Sequence, residues 1–164
     1  MSAFVFLATN YEMPEVDYTS TKYITVKEAI DLGIQPHKLV PWEEMDPNAR
    51  VLFVENEEDL HELVITKNEY YDVADYTSYP FIYEVSFIYT ELRTKRFLEY
   101  LKENMKEGQI LEIWRVWIEH EDDALTIPYT RYSYEELSLN HLIPLFNWEH
   151  EKYKLQNCLV IERA

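Results

Sequence analysis

With 31 acidic and 15 basic residues among 164, the chain carries a net charge of −16, so nucleic acid or an anionic membrane would repel it. Fourteen tyrosines, seven phenylalanines and four tryptophans exclude an acidic disordered segment, and the length suits one domain with a sizeable core. Gly33 and Gly108 are the only glycines, which excludes phosphate-cradling loops and the glycine-flanked nucleophile elbow; a single cysteine, Cys158, excludes an internal disulfide.

Residues 3–8 form a short continuous apolar run and predict a buried strand. That run has no basic segment before it and is too short for a signal peptide or a membrane span, so the cytoplasm is the expected location. A polar stretch follows to about Lys22. Thr25 and Glu28 stand at capping-box spacing and predict a helix over 26–32, with Gly33 as its left-handed terminator. Pro36, Pro41 and Pro47 make 36–49 a loop with at most single helical turns. Residues 50–55 predict a strand, and Asn56 ahead of Glu57, Glu58 and Asp59 predicts a short helix ending near Val64. From 66 to 80 the chain is aperiodic and tyrosine-rich.

The second half is more regular. Residues 81–89 are dense in β-branched and aromatic side chains and predict a strand. Leu92, Phe97, Leu98, Leu101 and Met105 recur at helical spacing and predict a helix over 91–106, closed by Gly108. Strands are expected at 110–119 and 125–132, around a turn rich in acids (Glu119, Glu121, Asp122, Asp123). Ser133 and Glu136 repeat the capping-box spacing before a helix through Leu137 and Leu142, which Pro144 should bend or shorten. A closing strand is expected at 158–162.

These elements predict an α+β fold with a mixed or antiparallel sheet. The order over 81–163 is β-α-β-β-α-β, the ferredoxin-like order, with an irregular N-terminal β/α segment packed on it. Pro128 conflicts with that order, because the third strand would be central and proline deletes a ladder hydrogen bond there. The two long strands are apolar on both faces, so the sheet needs cover on its second face, from residues 1–75 or from another protein. No linker or repeat separates residues 1–75 from 76–164, so a single domain is expected.

No strong site motif emerges. The five histidines never stand at i, i+4 spacing, and neither Glu57, Glu58, His61 and Glu62 nor His120 with Glu121, Asp122 and Asp123 has a metal-loop pattern, so no metal or cofactor is assigned. Glu84, Glu112 and Arg115 interrupt apolar strand faces and suggest a partly buried ion pair, a structural role in preference to a catalytic one. Cys158 lies in an apolar run with no basic neighbour, which fits a core residue better than a nucleophile.

The remaining constellation is aromatic and acidic: Trp42, Glu43 and Glu44, then Tyr70, Tyr71, Asp72, Asp75, Tyr76 and Tyr79. Tyrosine and tryptophan give rigid contact area, and carboxylates around them would steer a basic partner. Residues 1–75 hold 16 acids and 5 bases, residues 76–164 hold 15 and 10, so the acidity is concentrated on the first half. This profile is similar to that of many small bacterial immunity or antitoxin proteins, an analogy of composition that implies a non-catalytic module bound to a basic protein. A small hydrolase with a carboxylate site between the two halves, or a small-ligand regulatory domain, is the alternative.

Overall fold

The computed structural model describes residues 3–35, 41–117, 127–147 and 156–164. Two compact units emerge: Met1–Asp17 together with Glu62–Ala164, and Tyr18–His61.

The larger unit is built on a seven-stranded sheet. Its strands are β1 (Ala3–Thr9), β2 (Val16–Asp17), β5 (Val64–Lys67), β6 (Phe81–Ser86), β7 (Ile110–Trp117), β8 (Tyr129–Ser133) and β9 (Asn157–Glu162). Helices α2 (Glu91–Asn104) and α3 (Leu139–Phe146) complete it. The strand order is β2-β5-β6-β1-β7-β9-β8, antiparallel except for the parallel β8–β9 pair. The class is therefore α+β with a mostly antiparallel sheet.

The elements over 81–162 follow the expected β-α-β-β-α-β sequence, but the ferredoxin-like sheet order is not confirmed. β1 inserts between β6 and β7, pairing Phe6 with both Glu84 and Trp114. β8 lies at the sheet edge. Pro128 stands just before that edge strand, and its carbonyl accepts the Cys158 N–H at 3.1 Å, so no central ladder bond is lost. The apolar β1 run explains the insertion: Val5 and Leu7 face one side, Phe4, Phe6 and Ala8 the other, and only a central strand buries both.

α2 and α3 share one face of the sheet. Phe97, Tyr100, Leu101, Leu142, Leu145 and Phe146 pack there against Leu7, Tyr83, Ile113 and Leu159. Thr90 caps α2 by accepting the Arg93 N–H, and the helix stops at Met105, whose backbone is extended. Gly108, at φ +79°, therefore turns the chain into β7 three residues beyond the helix instead of closing it. β6 ends at Ser86, earlier than the apolar pattern to 89 suggests, because its partner β5 begins at Val64, opposite Ser86. Phe87 then turns into the core beside Phe146, their rings 4.4 Å apart.

The Ser133–Glu136 capping box forms both of its hydrogen bonds, at 3.1 and 3.2 Å, yet closes only a single turn. α3 starts later, from Ser138, whose N–H donates to His141 Nδ1 at 3.2 Å, and Pro144 sits in its last turn. Part of the 110–119 and 125–132 expectations, and all of the acidic turn with His120, lie outside the described residues.

The unit of residues 18–61 contains the antiparallel pair β3 (Lys22–Thr25) and β4 (Arg50–Phe53) with helix α1 (Val26–Asp31). Thr25 accepts the Glu28 N–H at 3.1 Å, and Gly33 takes φ +73° beyond the helix end, as expected. Neither β2 within the polar stretch nor β3 between that stretch and the Thr25 cap was legible. The helix expected from Asn56 is a five-residue 3₁₀ segment, Glu57–His61. Residues from Val64 onward are drawn into β5 by pairing with β6, which stops the helix from extending. No described helix is long and apolar enough to cross a membrane.

Candidate functional site

The tyrosine-rich connection covers the face of the sheet opposite α2 and α3. Its 68–80 backbone is irregular but closely wired, with polar side chains in place of glycine turns. Asn68 accepts the Tyr71 N–H and donates to its carbonyl, at 3.2 and 2.7 Å. Asp72 accepts the Ala74 N–H at 3.0 Å, and Val73 O accepts the N–H groups of Tyr76 and Thr77. Buried Val73 joins Phe4, Phe6, Trp114, Val116 and Val160 in a second apolar cluster. The Tyr71 ring lies 4.4 Å from Phe4, and the Tyr76 ring 5.7 Å from Trp114.

The segment is bordered by two clefts. One, of about 490 Å³, is lined by Glu12, Lys67, Tyr71, Asp72, Thr77 and Tyr79 among others. An exposed ion pair between Lys67 and Glu12, 3.8 Å long, stands at its edge. The other, of about 300 Å³, lies over β7, β9 and β8, with Asp75 and Tyr76 also lining it.

Register defines the floor of this second cleft. Val160 pairs with Glu112 on one side and Arg131 on the other, while Cys158 pairs with Trp114 and Tyr129. Glu112 and Arg131 are thus two strand spacings apart, about 10 Å between backbones, with small side chains in the middle column. Glu112 Oε1 accepts the Thr77 hydroxyl at 2.5 Å and the Trp114 indole N–H at 3.2 Å. Arg131 Nη1 donates to Glu162 Oε2 at 3.0 Å.

Two weak acids near Glu112, the Tyr79 hydroxyl and the Cys158 thiol, hold their protons more tightly than usual. Burial, then the Glu112 carboxylate, pushes the Tyr79 hydroxyl above its ordinary value, with Arg131 opposing and Glu162 adding. Burial and Glu112 also push the Cys158 thiol well up. A thiol so held is a poor nucleophile. Iodoacetamide at pH 8 is expected to leave Cys158 unmodified in the native protein and alkylate it fully in denaturant. Rapid native alkylation, read by mass spectrometry, would contradict that.

Because both folded-state pKa values lie above the unfolded ones, stability is complete below the unfolded values and falls as pH climbs through them. For Tyr79 that fall begins near its ordinary value of 10.0. Tyr79→Phe should therefore lose less stability than wild type between pH 9 and 11, measured by urea unfolding.

The interface candidates separate into groups. Tyr71, Asp72, Asp75, Tyr76 and Tyr79 gather around the two clefts, and Tyr70 projects beside them, 85% exposed. Trp42, Glu43 and Glu44 form a 3₁₀ turn in the other unit, Trp42 half-buried and both glutamates exposed. The suggested ion pair is not assembled from Glu84, Glu112 and Arg115. Strand alternation puts both glutamates on the tyrosine-covered face and Arg115 on the helix face, where Nη1 donates to Pro144 O at 3.1 Å.

Trp114 shares a strand face with Glu112 and was legible there, though not marked as a site residue; Thr77, Tyr129 and Arg131 were not marked, because only packing and strand order bring them to Glu112. Among the described residues no group of three or more His, Cys, Asp or Glu side chains could hold a metal ion. Comparison with protein-family models, curated proteins and solved structures finds no match to this chain.

Proposed function

We propose that this chain is a non-catalytic protein-binding module whose partner presents a basic surface. The observation that carries the reading is the 68–80 segment. Val73, Tyr76 and Tyr79 tie it to the sheet, while Tyr70, Tyr71, Asp72 and Asp75 stay exposed on it. Aromatic side chains held this way lose little conformational freedom on binding, and the neighbouring carboxylates attract a cationic partner. Glu12 and Glu69, also exposed, extend the acidic surface. The immunity or antitoxin analogy belongs with this reading, on charge and aromatic content alone.

A hydrolase is less well supported. The carboxylate Glu112 has a thiol beside it, but that thiol is held protonated.

The test is affinity capture from native cells with wild type and the quadruple variant Tyr70→Ala, Tyr71→Ala, Asp72→Asn, Asp75→Asn. A basic protein should be recovered by wild type at low salt, released at high salt and missed by the variant. An identical set of captured proteins for both baits, or salt-indifferent capture, would overturn the reading.

A further inference from the structure

The 300 Å³ cleft combines features that the covering role of the tyrosine segment does not require. Its floor carries one carboxylate whose orientation is fixed. Thr77 and Trp114 both donate to Glu112 Oε1, and Oε2 has no hydrogen-bond partner among the described residues. Aromatic rings of Tyr76, Trp114 and Tyr129 line the same space, and Tyr129 is 66% exposed. Asp75 adds a second carboxylate, and the one cation among the described lining residues, Arg131, is already paired with Glu162.

From this geometry we infer that the cleft binds one alkylammonium or guanidinium group, with Glu112 Oε2 as counter-ion and the three rings as walls. A cation over aromatic faces is attracted by their negative π-clouds, and a carboxylate in a partly water-excluded recess strengthens the pairing. The small Val160 and Cys158 side chains in the middle column leave the space such a group needs. A volume of about 300 Å³ suits a single small amine or one long basic side chain. The inference stands apart from the protein-binding reading, since a free amine satisfies it.

The probe is n-butylammonium, with butyrate as the opposite-charge control and Nα-acetyl-lysine amide as the side-chain mimic. Each is titrated into the full chain while the Trp114 indole N–H resonance, identified with Trp114→Phe, is followed by NMR. The indole bonds to Glu112, so occupancy at the carboxylate shifts it. Butylammonium should shift this signal saturably and butyrate should not. Glu112→Gln keeps an amide oxygen for both donors but removes the charge, and should weaken binding about tenfold or more. Tyr129→Ala, at an exposed ring, should weaken it about threefold. No saturable shift by 10 mM butylammonium, equal binding of butyrate, or unchanged affinity in both variants would overturn the inference. Both remaining outcomes support it: tighter binding of the lysine amide assigns the cleft to a partner's side chain, and weaker binding assigns it to a free amine.

Discussion

Phe6→Ala is expected to lower the unfolding free energy by about 3–5 kcal/mol, the range for truncating a fully buried aromatic ring. Phe6 is 0% exposed in the central strand, on the face opposite α2 and α3. Its ring stacks on Trp114 at 6.0 Å, lies 5.6 Å from Phe4 and meets the edge of Tyr76 at 6.0 Å. Neither α2 nor α3 can slide in to fill the space, because both lie on the opposite face and the irregular 68–80 segment packs here. A domain of this size has only about 5–15 kcal/mol to lose, so this single change removes a large fraction of its stability.

Urea titration should show a lower midpoint with an unchanged slope. Leu92→Ala, at a side chain 80% exposed on α2, should stay within about 0.5 kcal/mol of wild type and serves as the control. Hydrogen exchange gives a second readout. The Tyr76 and Thr77 amides, bonded to Val73 O, should exchange faster in Phe6→Ala than amides of α2. Equal stability of the two variants would mean that the tyrosine cover contributes nothing to the core.

What the sequence revealed and what it concealed divide along one physical line. Local signals were legible: the Thr25 cap, the turn at Gly33, the spacing of Phe97 and Leu101, and the apolar run of β1 all act within a few residues. The both-faced apolarity of 81–89 and 110–119 also foretold a covered sheet, and Tyr71, Val73 and Tyr76 supply part of that cover. Pairing was not legible. β5 exists because Val64–Lys67 finds β6, and α3 begins at Leu139 although the Ser133 box forms, since that box sits at the end of β8.

The candidate site suffered most from this. Glu112 stood out as a charge in an apolar strand, but its neighbours Arg131 and Tyr129 come from β8, joined through β9. No spacing in one dimension announces a row that crosses three strands. Arg115 shows the converse. Its odd offset from Glu112 already places the two on opposite strand faces in the sequence, and the structure keeps them there, so no pair forms between them.

Arg115→Ala is expected to cost about 3 kcal/mol, whereas Arg115→Met should fall within about 1 kcal/mol of wild type. Arg115 is 0% exposed, the largest fully buried side chain among the described residues. Its Nη1 donates to Pro144 O, one of the last four carbonyls of α3, which an α-helix leaves without an internal partner. A cation there also meets the negative end of the helix dipole. Against this stands desolvation, which lowers the guanidinium pKa to about 10. Since that lies below the unfolded value of 12.5, the buried charge costs stability at every pH below about 10. Methionine keeps most of the volume and removes that cost along with the guanidinium's polar contacts, so the two changes nearly cancel. Alanine removes the volume as well and leaves a cavity under α3. Thermal unfolding of both variants decides the matter. If methionine is as damaging as alanine, the guanidinium's hydrogen bonds, and not its bulk, hold α3 on the sheet.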